Sequence, residues 1–255
     1  MDNLDTSINQ AIAILKQARH AVALTGAGIS TRSGIPDFRS PESGLWDHYD
    51  PMEVATINAF KQNPRAFYDW IRPLAQKIVA AQPNPAHLAL AHLEKFGPLR
   101  AVITQNIDVL HTKAGSQTIY EVHGHMREAT CMHCLQTYQS DVALADYLLT
   151  GPIPRCPACD GVLKPHVILF GEILPVMVMN RAKRHTRDCD VMIVAGSSLE
   201  VAPAGDLPML AKYSGAKLII VNFSETHLDD MADVLIHADV VDVLPRLAAA
   251  FTPEA

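Results

Sequence analysis

Six short apolar runs, each closed by small or polar residues, constrain this chain more than any other feature. They are HAVALTGAG (20–28), RAVITQN (100–106), VILFGE (167–172), VMIVAGSS (191–198), KLIIVNFS (217–224) and DVLIHAD (233–239). Their apolarity is continuous rather than alternating, the pattern of a strand covered on both faces. Helical spacing lies between them, as in PAHLALAHLEKF (85–96) and GDLPMLAKYS (205–214). Strands that alternate with helices make a parallel α/β sheet. Ligands of such sheets sit at the carboxyl ends of the strands. The residues there are the first candidates for function: Gly26, Gly28, Gln105, Asn106, Gly196, Ser197, Ser198 and Asn222.

Two segments break the alternation. Residues 39–83 are polar and aromatic with helical pieces, and residues 125–165 carry paired cysteines. Both read as insertions into the sheet domain. The 255 residues, 49% of them hydrophobic, suffice for a large core plus a small module. A net charge of −6 argues against a broad electrostatic grip on nucleic acid. The N-terminal stretch has helical spacing and no basic leader, and no apolar run approaches the ~18 residues of a membrane span. A cytoplasmic protein is expected, with no membrane partner and no direct nucleic-acid partner. It is expected to be a monomer, since no exposed apolar heptad is visible.

Cys131-x2-Cys134 and Cys156-x2-Cys159 are separated by 21 residues, Gln136 among them. Two matched pairs suit a structural zinc site, with a gap slightly longer than the usual ribbon. Four thiolates fill a tetrahedral shell and leave no position for a substrate water. Cys189 reads as an ordinary thiol.

The first apolar run ends in Gly26-Ala27-Gly28-Ile29-Ser30. A strand, a glycine turn and a helix can set backbone N–H groups against a pyrophosphate. The same turn can equally be a tight connection with no ligand. The fingerprint of hydride-transferring dehydrogenases is incomplete: Thr31 stands where a third small residue belongs, and the strand 101–104 ends in Thr-Gln-Asn rather than an acidic residue.

The motifs GAGIS, GIPDFR, TQNID, HG, the paired CxxC, KPHVILFGE, GSSLEV and VNFS occur in that order. Together they resemble the sirtuins, NAD-dependent protein lysine deacylases, over residues 10 to 245. The resemblance implies an α/β fold with a Rossmann-like parallel-sheet domain formed by 1–38, 84–124 and 166–255. It implies a smaller inserted region, with a helical module at 39–83 and a zinc-binding module at 125–165. NAD is then a consumed co-substrate, cleaved at its nicotinamide–ribose bond, and one structural Zn²⁺ is held by Cys131, Cys134, Cys156 and Cys159.

Residue roles follow from the resemblance one by one. Gly26, Ala27 and Gly28 approach the pyrophosphate through backbone N–H groups, and Ser30 caps the helix that follows. Ile35, Pro36, Asp37, Phe38 and Arg39 lie on the cofactor loop, where Phe38 shields the ribose carbon and Arg39 meets phosphate. Gln105 and Asn106 lie near the ribose. Asp108, helped by Ile107, accepts a hydrogen bond from the nicotinamide amide. Gly196, Ser197, Ser198, Asn222, Asp239 and Val240 hold the adenosine half. His123 is the general base and Asn106 its companion, with His125 a decoy two residues on. The acyl oxygen attacks the ribose carbon, an O-alkylamidate forms, and His123 helps a ribose hydroxyl attack it. A side chain titrating near ~6.5 suits that task. The backbone from Ile168 through Phe170 and Gly171 to Glu172 pairs with the substrate peptide as an added strand, and Phe170 lines the acyl-lysine tunnel.

Relatives that remove succinyl or malonyl groups carry a Tyr-x-x-Arg pair. Here the sequence is FYDWIRP, with Tyr68 in place, Ile71 at the Arg position and Arg72 one residue late. One residue turns a side chain by ~100° on a helix. A neutral acyl group such as acetyl is therefore expected. Two other readings stay open: a protein mono-ADP-ribosyltransferase, and a non-catalytic NAD-responsive or zinc-ribbon binding module.

Overall fold

The structure is a computed structural model, described here over residues 3–37, 49–139, 147–148 and 151–252. Six parallel strands form its main sheet: β1 (Ala21–Thr25), β2 (Leu99–Thr104), β3 (Ile119–Glu121), β7 (Val191–Ala195), β8 (Lys217–Val221) and β9 (Val234–Ile236). Their order is β3-β2-β1-β7-β8-β9. The chain builds outward from β1 to β3, then returns to the other side of β1 and builds outward again. The switch lies between β1 and β7, the place where such sheets open a crevice.

Both faces of this sheet are covered, which is why its strands are continuously apolar. On one face Ala23, Val102, Ile193 and Ile219 pack with α1 (Asn3–Gln17), α5 (Pro85–Phe96) and the last helix, α9 (Val240–Ala248). On the other, Val22, Leu24, Met192, Val194 and Ile220 pack with α7 (Val176–Asp188) and α8 (Leu207–Tyr213). Neighbouring residues along each strand thus face opposite helix layers.

VILFGE is not a strand of this sheet. Val167 ends β6 (Leu163–Val167), which pairs antiparallel with β4 (Gly124–Cys131); β5 (Thr137–Gln139) completes a separate sheet in the order β5-β4-β6. The sixth place in the main sheet goes to β3, a half-buried three-residue edge strand. Its brevity and partial exposure hide it from a search for continuous apolar runs.

The remaining helices are α2 (Pro51–Val54), α3 (Ile57–Gln62), α4 (Pro64–Ala80) and α6 (Leu110–Ala114). Asn63 caps α4 and Asn84 caps α5, each followed by a proline at the first helical position. Phe60, Phe67, Tyr68, Ile71 and Leu74 share a third core with Val167 and Leu169. The helical segment therefore packs against the end of the small sheet and the stretch after it.

Candidate active site

A cavity of about 590 Å³ opens at the switch point, lined by the ends of β1, β2, β7 and β8. Of the residues expected from the sequence, Gly26, Ala27, Gly28, Ile35, Asp37, Gln105, Asn106, Ile107, Asp108, His123, Gly196, Ser197, Ser198 and Asn222 line it. So do Ile71, Ile168, Phe170, Gly171 and Glu172. Phe38 and Arg39 lie outside the described residues.

The glycines do not act as expected. The Gly26 N–H donates to the Ala195 carbonyl at 3.3 Å and the Gly28 N–H to the Gly196 carbonyl at 2.9 Å. Two of the three amides assigned to a pyrophosphate are thus engaged with β7 and the turn after it, while the Ala27 N–H makes no such bond. The glycines are needed for close approach. A Cβ on Gly26 would stand 2.8 Å from the Gly196 oxygen, and one on Gly196, itself at φ +63, would stand 2.4 Å from the Ile29 nitrogen.

Ser30 is not a helix cap either. It is buried within the 3₁₀ helix Ala27–Ser33 and donates to Asp108 Oδ2 at 2.6 Å, while Asn106 Nδ2 donates to its Oγ at 3.1 Å. Asn106 Nδ2 also donates to the Gly26 carbonyl at 3.0 Å. The other Asp108 oxygen accepts the Leu110 N–H at 2.9 Å at the start of α6. Burial pushes the Asp108 carboxyl above its usual range, opposed by the Ser30 hydroxyl and the Leu110 amide. Behind this group stand two buried histidines. His87 Nε2 lies 3.5 Å from Ser30 Oγ, and His111 Nε2 lies 2.9 Å from Thr25 Oγ1. Burial pulls their pKa values down to about 4 and about 3. Neither was singled out from the sequence, because a histidine on a helix's apolar face carries no periodic signal.

His123 follows β3, where a short return leads into the small sheet. Its Nδ1 lies 3.1 Å from the Gln105 carbonyl, which can only accept. That fixes the proton on Nδ1 and leaves Nε2 with a lone pair. Burial lowers its pKa, with the Gln105 carbonyl opposing. Next comes Gly124 at φ +79, where a Cβ would stand 1.9 Å from the His166 oxygen. This left-handed residue sends His125 away from the cavity that holds His123.

Opposite the glycine turn, α4 presents Trp70, Ile71, Leu74 and Ile78 to the cavity, with Val167 and Leu169 beside them. Tyr68 is not part of that wall. It is fully buried, and its hydroxyl donates to the Leu163 carbonyl of the small sheet. Arg72 points elsewhere too: it donates to the Gly151 carbonyl at 3.0 Å, with its guanidinium 4.5 Å from the Tyr147 ring centre.

The stretch Ile168 to Glu172 is less free to pair than expected. The N–H groups of Ile168, Leu169, Phe170 and Glu172 already donate to the His123 carbonyl, the Glu172 carboxylate, the Ala55 carbonyl and the Leu169 carbonyl. The Phe170 carbonyl accepts the Ile57 N–H at 3.0 Å. One edge of the stretch is thus occupied by 55–57. Lys164, overlooked in the sequence, lies 2.9 Å from Glu172 and ties this turn to β6.

At the far end, Asn222 Nδ2 donates to the Ser224 carbonyl at 2.7 Å, and Phe223 and Glu225 also line the cavity. Val240 does not line it; it is the first residue of α9 and is buried in the core. Asp239 caps that helix and pairs with Arg32 at 2.7 Å, so the last strand end is closed by contacts of its own.

The sulfurs of Cys131, Cys134, Cys156 and Cys159 all lie within 4.8 Å of one another. Two Sγ–Sγ distances are 3.5 Å, close to the ~3.8 Å edge of a tetrahedron with Zn–S bonds of ~2.3 Å. The N–H groups of His133 and Cys134 point at Cys131 Sγ, and the Tyr138 hydroxyl lies 3.2 Å from Cys156 Sγ. Donors aimed at sulfur favour thiolates, and the set fits a closed structural zinc site.

The Sir2 family model matches residues 26–203. The chain is 47% identical over 245 residues to the NAD-dependent protein deacylase 2 of Archaeoglobus fulgidus, covering 96% of each. It is 48% identical over 232 residues to the NAD-dependent protein deacetylase of Sulfurisphaera tokodaii, covering 91% of each. A solved Sir2 complex with a p53 peptide and NAD⁺ superposes with a TM-score of 0.87 at 39% identity, covering 95% of this chain and 97% of that one.

Proposed function

This chain belongs to the Sir2 family, and from that premise we propose that its switch-point cavity is where NAD is cleaved and a lysine acyl group is moved to ADP-ribose. The protein is an NAD-dependent protein lysine deacylase that acts on acyl-lysine peptides and carries a structural zinc. The single observation that carries the reading of the site is the 3.1 Å contact of His123 Nδ1 with the Gln105 carbonyl, which sets the tautomer. A lone-paired Nε2 stands at a cavity with a polar dinucleotide wall on one side and an apolar wall on the other.

NAD supplies an electrophilic ribose carbon whose bond to nicotinamide breaks as the acyl oxygen attacks. The chain's residues do the rest. Ala27, Ser197 and Ser198 hold the phosphates and the adenosine half. Gln105 and Asn106 border the ribose, and Ser30 and Asn106 lock the Asp108 carboxylate at the nicotinamide end. His123 Nε2 takes a proton from a ribose hydroxyl, and its Nδ1–H, held by Gln105, keeps the ring aimed. On this reading Phe38 and Arg39 complete the cofactor loop. The peptide pairs along the edge of Gly171 that 55–57 leave open.

Ile71 lines the apolar wall of the cavity, and burying an acyl carboxylate against it without a partner is costly. The favoured acyl group is therefore neutral. Nicotinamide release is measured with an acetyl-lysine peptide and with its succinyl counterpart. At least tenfold faster release with acetyl is expected, while equal or faster release with succinyl sinks the argument from Ile71. We place the enzyme in the cytoplasm as a monomer with no direct nucleic-acid contact, a state that light scattering on the purified chain checks.

A further inference from the structure

On the far side of the wall formed by Ile168 and Glu172 lies a second, shallower cavity of about 450 Å³. It shares those two residues with the first but takes His125 instead of His123. His125 and Glu128 come from β4 and His166 from the partner strand β6. One ligand atom from each lies within 4.8 Å of the other two. We infer that His125, Glu128 and His166 form a second metal site, separate from the four cysteines, for a divalent transition-metal ion such as zinc.

Each of the three side chains is already set for that task. His166 Nε2 lies 2.5 Å from Thr130 Oγ1, and Thr130 Oγ1 lies 2.9 Å from Thr137 Oγ1. With its Nε2–H on a hydroxyl, His166 offers the Nδ1 lone pair, the arrangement in which a second contact orients a ligating imidazole. Glu128 Oε1 accepts from Gln139 Nε2 at 3.1 Å, and Oε2 is the oxygen that faces His166 Nδ1 at 3.3 Å. His125 Nδ1 is buried with no hydrogen-bond partner among the described residues. A buried nitrogen without a partner is costly, and a metal bond removes that cost.

The donor set decides the ion. Two imidazoles and one carboxylate suit zinc, nickel, cobalt or copper, whereas magnesium and calcium prefer all-oxygen shells. The nearby Arg127 does not repel the ion strongly, because both its terminal nitrogens are held by the Glu121 carboxylate. His125 and His166 line the cavity, and three protein ligands leave a fourth position for water, the pattern of an exchangeable rather than a closed site. The rival arrangement is a plain hydrogen bond from His166 to Glu128, with no affinity for metal.

The test uses the full chain with its cysteine site filled, and equivalents are counted as total metal per chain, the cysteine-bound ion being the first. The protein is dialysed and titrated with zinc alone against a chromophoric indicator. A second equivalent per chain is expected, weaker than the first. The His125→Ala/His166→Ala double variant takes up only the first equivalent. Glu128→Gln keeps the side chain's size and an oxygen for Gln139, and weakens the second equivalent at least about tenfold, so the test stands even if the double variant folds poorly. With cobalt as the added ion, the second equivalent adds visible absorption without the sulfur charge-transfer bands that cobalt held by four cysteines gives. Uptake of one equivalent by the native chain, or a second equivalent unchanged in both variants, overturns the site.

Discussion

The six-stranded sheet is buried on both faces under five helices, whereas the three-stranded sheet has a core of Ala129, Cys131, Cys156 and Leu163. The first has enough apolar contact to order itself. Among the described residues the second has only these four buried side chains with Tyr138 against them, and two of the four are metal ligands, too little to hold it by burial. The two sheets meet at His123 and Gly124, so the base we propose rides on the joint between a part ordered by burial and a part ordered by an ion.

Metal removal should break that comparison most sharply. A structural zinc contributes on the order of 10 kcal/mol to the module it orders. Chelation under native conditions is expected to expose residues 131–159 to protease while α1, α5 and β1 stay protected, as read by hydrogen exchange. Equal loss of protection in both sheets would show that they form one cooperative unit.

Next in size is His123→Ala. Loss of a general base reduces turnover by roughly 10²–10⁴. Because His123 is half-buried at the joint and not in either core, the thermal midpoint should hardly move. The partner of that experiment is pH. Burial lowers the His123 pKa, so deacylation should persist below the ordinary imidazole range and fall only as the base becomes protonated at more acid pH.

Acid should then reveal the main sheet's own weak point. His87 and His111 titrate near 4 and 3 when folded, against ~6.5 unfolded. The unfolded chain gains protons first as pH falls below ~6.5. The stability contributed by these neutral histidines is complete above that value and is lost as pH falls toward 4 and 3. The loss is up to about 1.4 kcal/mol per pH unit for each. Denaturant midpoints at stepped pH follow it, and His87→Gln should flatten the slope.

The smallest effect expected is that of Tyr68→Phe. Its hydroxyl reaches Leu163 of the small sheet, so its removal should cost about 1 kcal/mol and leave the KM for the acyl peptide unchanged. A changed KM would return Tyr68 to the acyl wall.

The strands at the centre of the main sheet were legible because burial on both faces forces a continuous run. The cysteines were legible because metal geometry forces their spacing. What escaped depends on neighbours far away in sequence. Only β7 shows why Gly26 and Gly28 are glycines and why their amides are engaged. Ser30 becomes the hub of Asn106 and Asp108 only when β1 and β2 lie side by side. Tyr68 has the right spacing for the acyl wall, yet the small sheet supplies a carbonyl that turns its hydroxyl the other way. VILFGE looks like one strand but is divided between β6 and an extended stretch bonded to 55–57.

The contact between the glycine turn and Gly196 has a consequence for variation. That seam is almost wholly main chain against main chain, with the Ser197 Cβ the one side-chain atom pressed against Gly26. A substitution there can only push the strands apart. The α4 wall is made of side chains, each replaceable without moving a backbone atom. With the two walls assigned as proposed, drift in a lineage of such enzymes should accumulate in what is removed from lysine and leave untouched the molecule consumed in removing it.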